Sequence, residues 1–350
     1  MKKVKDKGKK ENSKLSLRKK IVIFFSSFLV TCILIMLFLL YGPYDGFRNW
    51  LVTTAMTTMN HQYLATMFYS DETINKILEA NKIVEPDSNT DLDIINTNRL
   101  NTNVYKDKYE KEILEHKKGE SYKLIEVSGK DYSGYLVAVY DPSKVKVAVS
   151  KNLGVDGEYL VDMAKREGAL VAINGGGFID ENGLGTGALV DGIVIKDGKI
   201  LNAKRYTRAG GLIGLTRDNK LYLGKVSAQE AINLGIRDAV EFGPFLIVNG
   251  EASKVVGNGG YGQHPRTVIG QRKDGVILFL VIDGRRVGCM GVDMDDLIEI
   301  MLRYGAYNAA NLDGGNSSAL VINNKLINHP INWDNREETR PIATGFILSK

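Results

Sequence analysis

The chain has 350 residues, 46 Lys and Arg against 41 Asp and Glu, and 44% hydrophobic residues, enough apolar matter for one sizeable core. The formal charge of +5 is concentrated at one end: residues 1–20 carry nine Lys, one Arg, one Asp and one Glu, a net +8, which leaves 5 − 8 = −3 for the rest. A mildly acidic body excludes the electrostatic footprint of a nucleic-acid binder, and Cys32 and Cys289, the two cysteines, exclude a disulfide framework.

In chain order, the basic tail 1–20 runs into residues 21–41, which hold no charged residue. That run is long enough to cross a ~30 Å hydrocarbon core. Its basic flank predicts a cytoplasmic N-terminus and an extracellular body. A cleavable signal peptide would have a shorter apolar run and a small-residue cleavage site. Here the run leaves through Tyr41-Gly42-Pro43-Tyr44, so it reads as an uncleaved anchor of a single-pass protein of the cell membrane. Residues 42–120 read as an extracellular stalk. They hold a helical apolar pattern over 47–56 and a helix opening at Ser70-Asp71-Glu72-Thr73 with Ile74, Ile77 and Leu78 on one face. A polar stretch over 86–103 reads as a flexible linker, and 105–118 as a charged helical segment. His61 and His116 fall in this stalk and read as solvated or packed side chains.

From Tyr122 onward apolar runs alternate with glycine turns, and 121–350 reads as one domain. Strands are predicted over 135–140, 145–149, 169–173 and 276–282, with helices over 157–167 and 293–304, the latter with Leu297, Ile298, Met301 and Leu302 inward. Asp197-Gly198 between two short apolar runs predicts a hairpin. Strands outnumber helices and hairpins recur. The expectation is therefore an α+β fold: a mixed, largely antiparallel sheet with packed helices, not a doubly wound one.

Five blocks stand where apolar runs give way to turns. They are Asn174-Gly175-Gly176-Gly177-Phe178, Gly243-Pro244-Phe245-Leu246, His264-Pro265-Arg266-Thr267-Val268-Ile269-Gly270, Val281-Ile282-Asp283-Gly284-Arg285, and Asn311-Leu312-Asp313-Gly314-Gly315-Asn316-Ser317-Ser318. In order, spacing and content they resemble the phosphodiester glycosidase family, from roughly Tyr122 to the C-terminus and not over the first 120 residues. The chain departs from the family pattern at Asn316, where a third glycine is common. The resemblance implies a glycosidase that hydrolyses the bond between a sugar anomeric carbon and a phosphodiester. With the anchor, the implied substrate is a cell-surface glycopolymer such as a teichoic acid or a phosphate-linked polysaccharide. Two alternatives stay open. One is a non-catalytic glycan-binding or polysaccharide-assembly protein with the same pocket; the other is a phosphodiesterase or transferase that cleaves on the phosphate side.

The residue types fit that chemistry. Arg266 can hold a phosphodiester in bidentate fashion, and His264 can bind the departing phosphate or protonate it. Asp283 and Asp313 both end apolar runs at glycine turns, and a pair of carboxylates is what glycoside cleavage usually needs. Phosphate is already a good leaving group, so Arg266 and backbone amides can stabilise it in place of a strong acid. Either aspartate is then left to activate water or act as nucleophile. The candidate catalytic residues are thus Asp313, Asp283 and Arg266. Glycine-rich turns admit close backbone approach and amide concavities, which makes Asn174, Gly175, Gly176, His264, Arg285, Gly314, Gly315 and Ser317 candidate substrate-binding residues. Asn174 has a turn-capping role as its alternative. Gly183-Leu184-Gly185-Thr186-Gly187 lacks the spacing and following helix of a dinucleotide fingerprint, so no nucleotide cofactor is expected. No metal ligand is expected either: Asp293, Asp295 and Asp296 read as a helix cap, and a need for a divalent cation is left open. Glu241 is expected to line the cleft, Arg340-Pro341 to close it, and Asp180 is an outlying candidate for a hydroxyl or cation.

Overall fold

The computed structural model describes residues 16–58, 61–97, 104–179, 185–206, 210–332 and 336–350. The first helix, α1 (Leu17–Tyr41), exposes its apolar residues along its length and buries only Leu40. It is long and apolar enough to cross a membrane. Three helices follow: α2 (Asp45–Met56), α3 (Tyr63–Thr66) and α4 (Asp71–Ala80). The Ser70 side chain caps α4 by accepting from the Thr73 amide, and Ile74 and Ile77 turn inward at helical spacing. They meet Leu40, Val52, Ala55, Ala65 and Tyr69 in a small core of their own. The Tyr69 hydroxyl donates to the Leu40 carbonyl at 2.9 Å, so the end of α1 is built into this platform.

The segment beyond the platform is laid along the body of the protein. The strand Lys82–Val84 pairs with Lys254–Val256. Glu85 Oε1 accepts from the Phe245 amide at 2.8 Å, and Thr90 exchanges hydrogen bonds with Leu223. Ile95 is buried and the Asn96 amide donates to the Lys273 carbonyl. The flexible linker expected over 86–103 is therefore packed and bonded over 86–97; 98–103 lie outside the described residues. Its polar composition hid this because its partners are backbone groups far away in sequence. Next comes α5 (Lys108–Leu114), capped by Asp107, which buries Ile113 completely; the Ile113 carbonyl accepts from the Tyr140 hydroxyl. The ring of His116 stacks on Tyr140.

The body is α+β, as its pattern predicts. A seven-stranded sheet runs in the order Glu251–Ala252, Phe245–Val248, Ala306–Asn311, Arg266–Arg272, Ile277–Ile282, Ser133–Val139 and Tyr122–Ser128. Two five-stranded sheets and a two-stranded ribbon, Phe178–Ile179 with Leu189–Val190, accompany it. One five-stranded sheet is built around Ala169–Asn174 and Thr344–Ser349, the other around Gly211–Thr216 and Ile236–Phe242. Every pairing between neighbouring strands in these sheets is antiparallel. The main core draws Val137, Ile173, Ile213, Phe279 and Phe346 from all three sheets. Ile277–Ile282 is wholly buried inside its sheet, as a continuous apolar run requires. The Asp197-Gly198 hairpin forms with both residues at positive φ, 50° and 73°, the conformation of a two-residue primed turn. The helix Met294–Arg303 buries Met294, Leu297, Ile298, Ile300 and Met301. Leu302, expected inward, is 44% exposed because the buried stripe centres near Met301 and Leu297 and position 302 falls to one side of it. Asp293 and Asp296 form a reciprocal capping box at the start of this helix.

Candidate active site

The strand register alone brings three chain ends together. Arg266 pairs with Ile282, and Val268 with Asn311. Asp283, Arg266 and the turn after Asn311 therefore lie side by side at one end of the seven-stranded sheet. The Leu312 amide donates to the Thr267 carbonyl and the Gly315 amide to the Pro265 carbonyl, fastening that turn across the start of the neighbouring strand. Asn311 is held from the other side by the Gly243-Pro244 block, its amide on the Pro244 carbonyl and its Nδ2 on the Gly243 carbonyl. The first glycine block joins from a different sheet, where the Asp313 amide donates to the Gly175 carbonyl at 3.1 Å.

Asp313 sits at the centre. Its Oδ1 accepts from the Gly314 amide at 2.9 Å, and its Oδ2 lies 3.5 Å from Nη2 of Arg340. Its side chain keeps 17% exposure, so solvent or a ligand can reach the carboxylate. Three arginines converge around it. The Arg266 guanidinium is buried and donates through Nη2 to the carbonyls of Tyr261 and Gly262 at 2.9 and 3.1 Å. The Arg340 Nε donates to the Ser317 hydroxyl at 2.8 Å while its guanidinium lies over the Phe178 ring. Arg285 extends over Gly315: a Cβ placed on that glycine would fall 2.8 Å from Arg285 Nη2, and one on Gly314 3.8 Å from Arg266 Nη1. Gly315 thus makes room for the Arg285 guanidinium and also needs its positive φ of 62°, while Gly314 admits the Pro265 carbonyl, 2.9 Å from where its Cβ would lie. Arg285 itself stands at φ 61°, a conformation that costs a non-glycine residue about 1–2 kcal/mol and aims its side chain at the turn.

The electrostatics follow from crowding cations in a recess. Burial lowers the pKa of Arg266 to about 10, with the Arg285 charge adding to the effect and Tyr261, Asp293 and Asp313 opposing it. It stays charged at neutral pH. Desolvation, then Arg340, lower Arg285, and Asp313 again opposes. His264 is pushed from 6.5 to about 3 by burial and by the charges of Arg266 and Arg285. The imidazole is therefore neutral at physiological pH and adds no charge to the arginines beside it. Among the described residues, buried polar atoms without a protein partner gather at this turn: Arg266 Nε, Asn311 Oδ1, Asn316 Oδ1 and Ser318 Oγ. Each such group costs about 1–3 kcal/mol if left unbonded, so the turn holds unmet hydrogen-bonding capacity, with Arg266 Nε a donor, the two amide oxygens acceptors and the Ser318 hydroxyl either.

Other residues singled out in the sequence hold the site together from behind. The Asn174 Nδ2 donates to the Asp313 carbonyl at 2.6 Å, and its Oδ1 accepts from the Thr267 hydroxyl and the Ala319 amide. It is the pin that joins two sheets, which is its turn-capping alternative. The amides of Gly175 and Gly176 donate to the carbonyl and hydroxyl of Thr344. A Cβ on either would fall within 3.0 Å of Thr344 or Glu241. These two glycines serve close chain packing, with their N–H groups already engaged. Ser317 is buried and turned to Arg340. Glu241 accepts from the Ile193 amide and pairs with Arg205, a structural hub. Asp180 lies outside the described residues.

Asp283 is also engaged. Its Oδ1 accepts from Asn328 Nδ2 and the His329 amide at 3.0 and 2.9 Å, and its Oδ2 faces Arg286 at 3.4 Å. Asn328 in turn holds the Ser318 carbonyl and the Leu320 amide. This chain of bonds runs from Asp283 to the Asp313 turn; no composition signal marked Asn328. We expect Asp283→Ala to lower unfolding free energy by about 2–3 kcal/mol, since it strands two donors and a guanidinium. Denaturant unfolding with an unchanged slope would measure it. Asp283→Asn, which keeps an acceptor at Oδ1, should recover most of the loss. His264 predicts a pH dependence. The unfolded chain binds a proton at this ring near pH 6.5 and the folded one only near 3, so the unfolded state holds more protons in between and stability falls as pH drops through that window. Melting should be level above about pH 6.5 and decline toward pH 4, and His264→Gln should flatten the decline.

The family described as "Phosphodiester glycosidase" matches residues 167–349, a span that takes in Asn174, Arg266, Asp283, Asp313 and Arg340. The chain belongs to the phosphodiester glycosidase family. It is 31% identical over 177 residues to the "SPbeta prophage-derived uncharacterized protein YomE" of Bacillus subtilis (strain 168), covering 49% of this chain and 27% of that protein. It is 27% identical over 190 residues to the N-acetylglucosamine-1-phosphodiester alpha-N-acetylglucosaminidase of Bos taurus, covering 48% of this chain and 34% of that one. The chain thus spans about a third or less of the length of these two relatives. The fold is similar to the catalytic domain of the zebrafish N-acetylglucosamine-1-phosphodiester alpha-N-acetylglucosaminidase, described as auto-inhibited by its pro-peptide. Its TM-score is 0.57 at 23% identity, over 67% of this chain and 85% of that one.

Proposed function

We propose that this phosphodiester glycosidase hydrolyses glycosyl phosphodiesters at the outer face of a membrane, with Asp313 as its reacting carboxylate. The observation that carries the reading is the convergence of Arg266, Arg285 and Arg340 on the turn that holds Asp313, in a chain of this family. Guanidinia match phosphate oxygens in geometry and charge. They favour the transition state because negative charge grows on the departing phosphate as the C1–O bond breaks. A phosphomonoester leaves without prior protonation, consistent with a neutral His264 and with Asp283 turned to structural partners. Asp313 then has one of two parts: it draws the proton from a water attacking C1, or it attacks C1 itself and is released by water. Either way the products are free sugar and a phosphomonoester.

The exposed apolar helix α1 and the basic residues before it support a single-pass anchor with the site outside. The build of Leu40 into the platform favours an anchor that stays attached. The substrate class this suggests is a phosphate-linked surface glycan such as a teichoic acid or exopolysaccharide. Purified full-length protein incubated with a panel of sugar-1-phosphodiesters, with and without chelator, tests the reading. Free sugar with a phosphomonoester is the expected outcome. Sugar 1-phosphate would mean cleavage at phosphorus, and tight binding without turnover would make this a glycan-binding protein. Arg266→Lys should lower kcat/KM by about 10- to 100-fold, because it removes the fork and at least one carbonyl contact, worth about 1.5–3 kcal/mol as charged hydrogen bonds. The same assay with a melting control reads that loss.

A further inference from the structure

The membrane helix and the site are closer in the fold than their separation in sequence suggests. The platform folds back against α1. An apolar recess of about 370 Å³ lies between α1, from Cys32 to Leu40, and Phe47, Leu51, Leu64 and Phe68. That volume is within the ~300–1,000 Å³ usual for ligand pockets. From Tyr41 down to Cys32 the helix falls by about 14 Å at 1.5 Å per residue. With Tyr41 at the membrane surface, the recess reaches about half-way into the ~30 Å hydrocarbon layer. One wall is the face of a helix long and apolar enough to cross a membrane, so a hydrocarbon chain matches the lining of the recess.

The same α2 that forms the other wall touches the loop that holds Arg266. Three residues past Leu51, about one helical turn, the Thr54 hydroxyl stands 3.2 Å from where a Cβ on Gly262 would lie. The Thr53 hydroxyl accepts from Asn258 Nδ2 at 3.0 Å, and the Asn81 side chain accepts from the Asn258 amide. Gly262 and Tyr261 at the end of that loop accept from the Arg266 guanidinium. The recess and Arg266 are thus joined through one helical turn and one loop.

We propose that the recess takes the hydrocarbon chain of the substrate, and that the substrate is a glycosyl phosphodiester of a long-chain alcohol lying in the same leaflet. The chain would lie along α1 and α2, with its phosphate at Arg266 and its sugar over Asp313. This rests on the hydrolytic reading above and narrows it. Cleavage then adds water across C1–O, releasing free sugar and leaving the lipid as its monophosphate in the membrane.

The test uses the full chain in phospholipid vesicles with two substrates that share one headgroup, N-acetylglucosamine 1-phosphate esterified to methanol or to a polyprenol. Leu64→Trp fills the recess from α3, and Ile35→Trp fills it from α1; both positions are partly exposed. Each should lower kcat/KM for the polyprenyl diester by about ten-fold, equivalent to about 1.4 kcal/mol, while leaving the methyl diester unchanged. A diazirine-bearing polyprenyl phosphate should label residues 32–68 in the wild type and lose that label in both variants. Labelling that survives in both variants, or that bulk phospholipid competes away equally well, overturns the proposal. So does equal loss of activity on both substrates. Labelling that behaves as expected in a protein that cleaves neither diester would uphold the lipid site and refute the hydrolytic reading.

Discussion

Asp313→Asn should abolish turnover of sugar-1-phosphodiesters while leaving the fold intact. Asparagine can keep the acceptor that meets the Gly314 amide at 2.9 Å, so the turn loses no backbone bond. The charge is lost, and with it the ability to take a proton from water or to attack C1. Loss of a general base or nucleophile commonly lowers kcat by about two or more orders of magnitude. The weak 3.5 Å contact with Arg340 is partly solvent-exposed and adds little to stability, so thermal melting should be nearly unchanged. Binding of a phosphodiester should persist or tighten, because one negative charge leaves a site of three guanidinia. Near-normal turnover by a well-folded Asp313→Asn would take this carboxylate out of the chemistry. A covalent glycosyl-enzyme trapped on the wild type would choose the nucleophile over the base.

Deletion of residues 1–120 should cost the body most of its stability. That segment supplies two almost completely buried side chains, Ile95 and Ile113, each worth about 1.5–3 kcal/mol of burial. It also supplies the strand Lys82–Val84, the Thr90 bonds to Leu223 and the Glu85 acceptor for the Phe245 amide. Against a total stability of about 5–15 kcal/mol, the shortened chain should melt at least about 10 °C lower, at roughly 1 kcal/mol per 2–4 °C for a domain of this size, or fail to unfold cooperatively. Deletion of residues 1–69 alone removes α1 to α3 and should be far milder. Equal melting of the full-length body and 121–350 would show that these contacts carry no net stability.

Much of this protein was legible in its sequence because the signals are local. The uncharged run before Tyr41, the alternation of apolar strands with glycine turns, the Asp197-Gly198 hairpin and the Asp293 cap each depend on neighbours a few residues away. The five blocks at strand ends marked the family, and Arg266 and Asp313 emerged as partners of one turn. What local pattern could not give was which polar atoms would be used up inside the fold. Asn174 and Asp283 have the chemistry of ligand and base, yet their bonds run to Thr267, Ala319 and Asp313, and to Asn328 and His329. Those partners come from other strands and sheets. The charge state of His264 likewise depends on two arginines brought beside it by folding. The polar stretch after the platform looked unstructured because its binding partners are backbone groups more than a hundred residues away. The sequence by itself determined the kind of chemistry available and the order of the elements that carry it. The tertiary structure alone decided which polar groups are bonded within the fold and which are gathered around Asp313, because hydrogen-bond satisfaction and desolvation belong to three-dimensional neighbours, not to sequence neighbours.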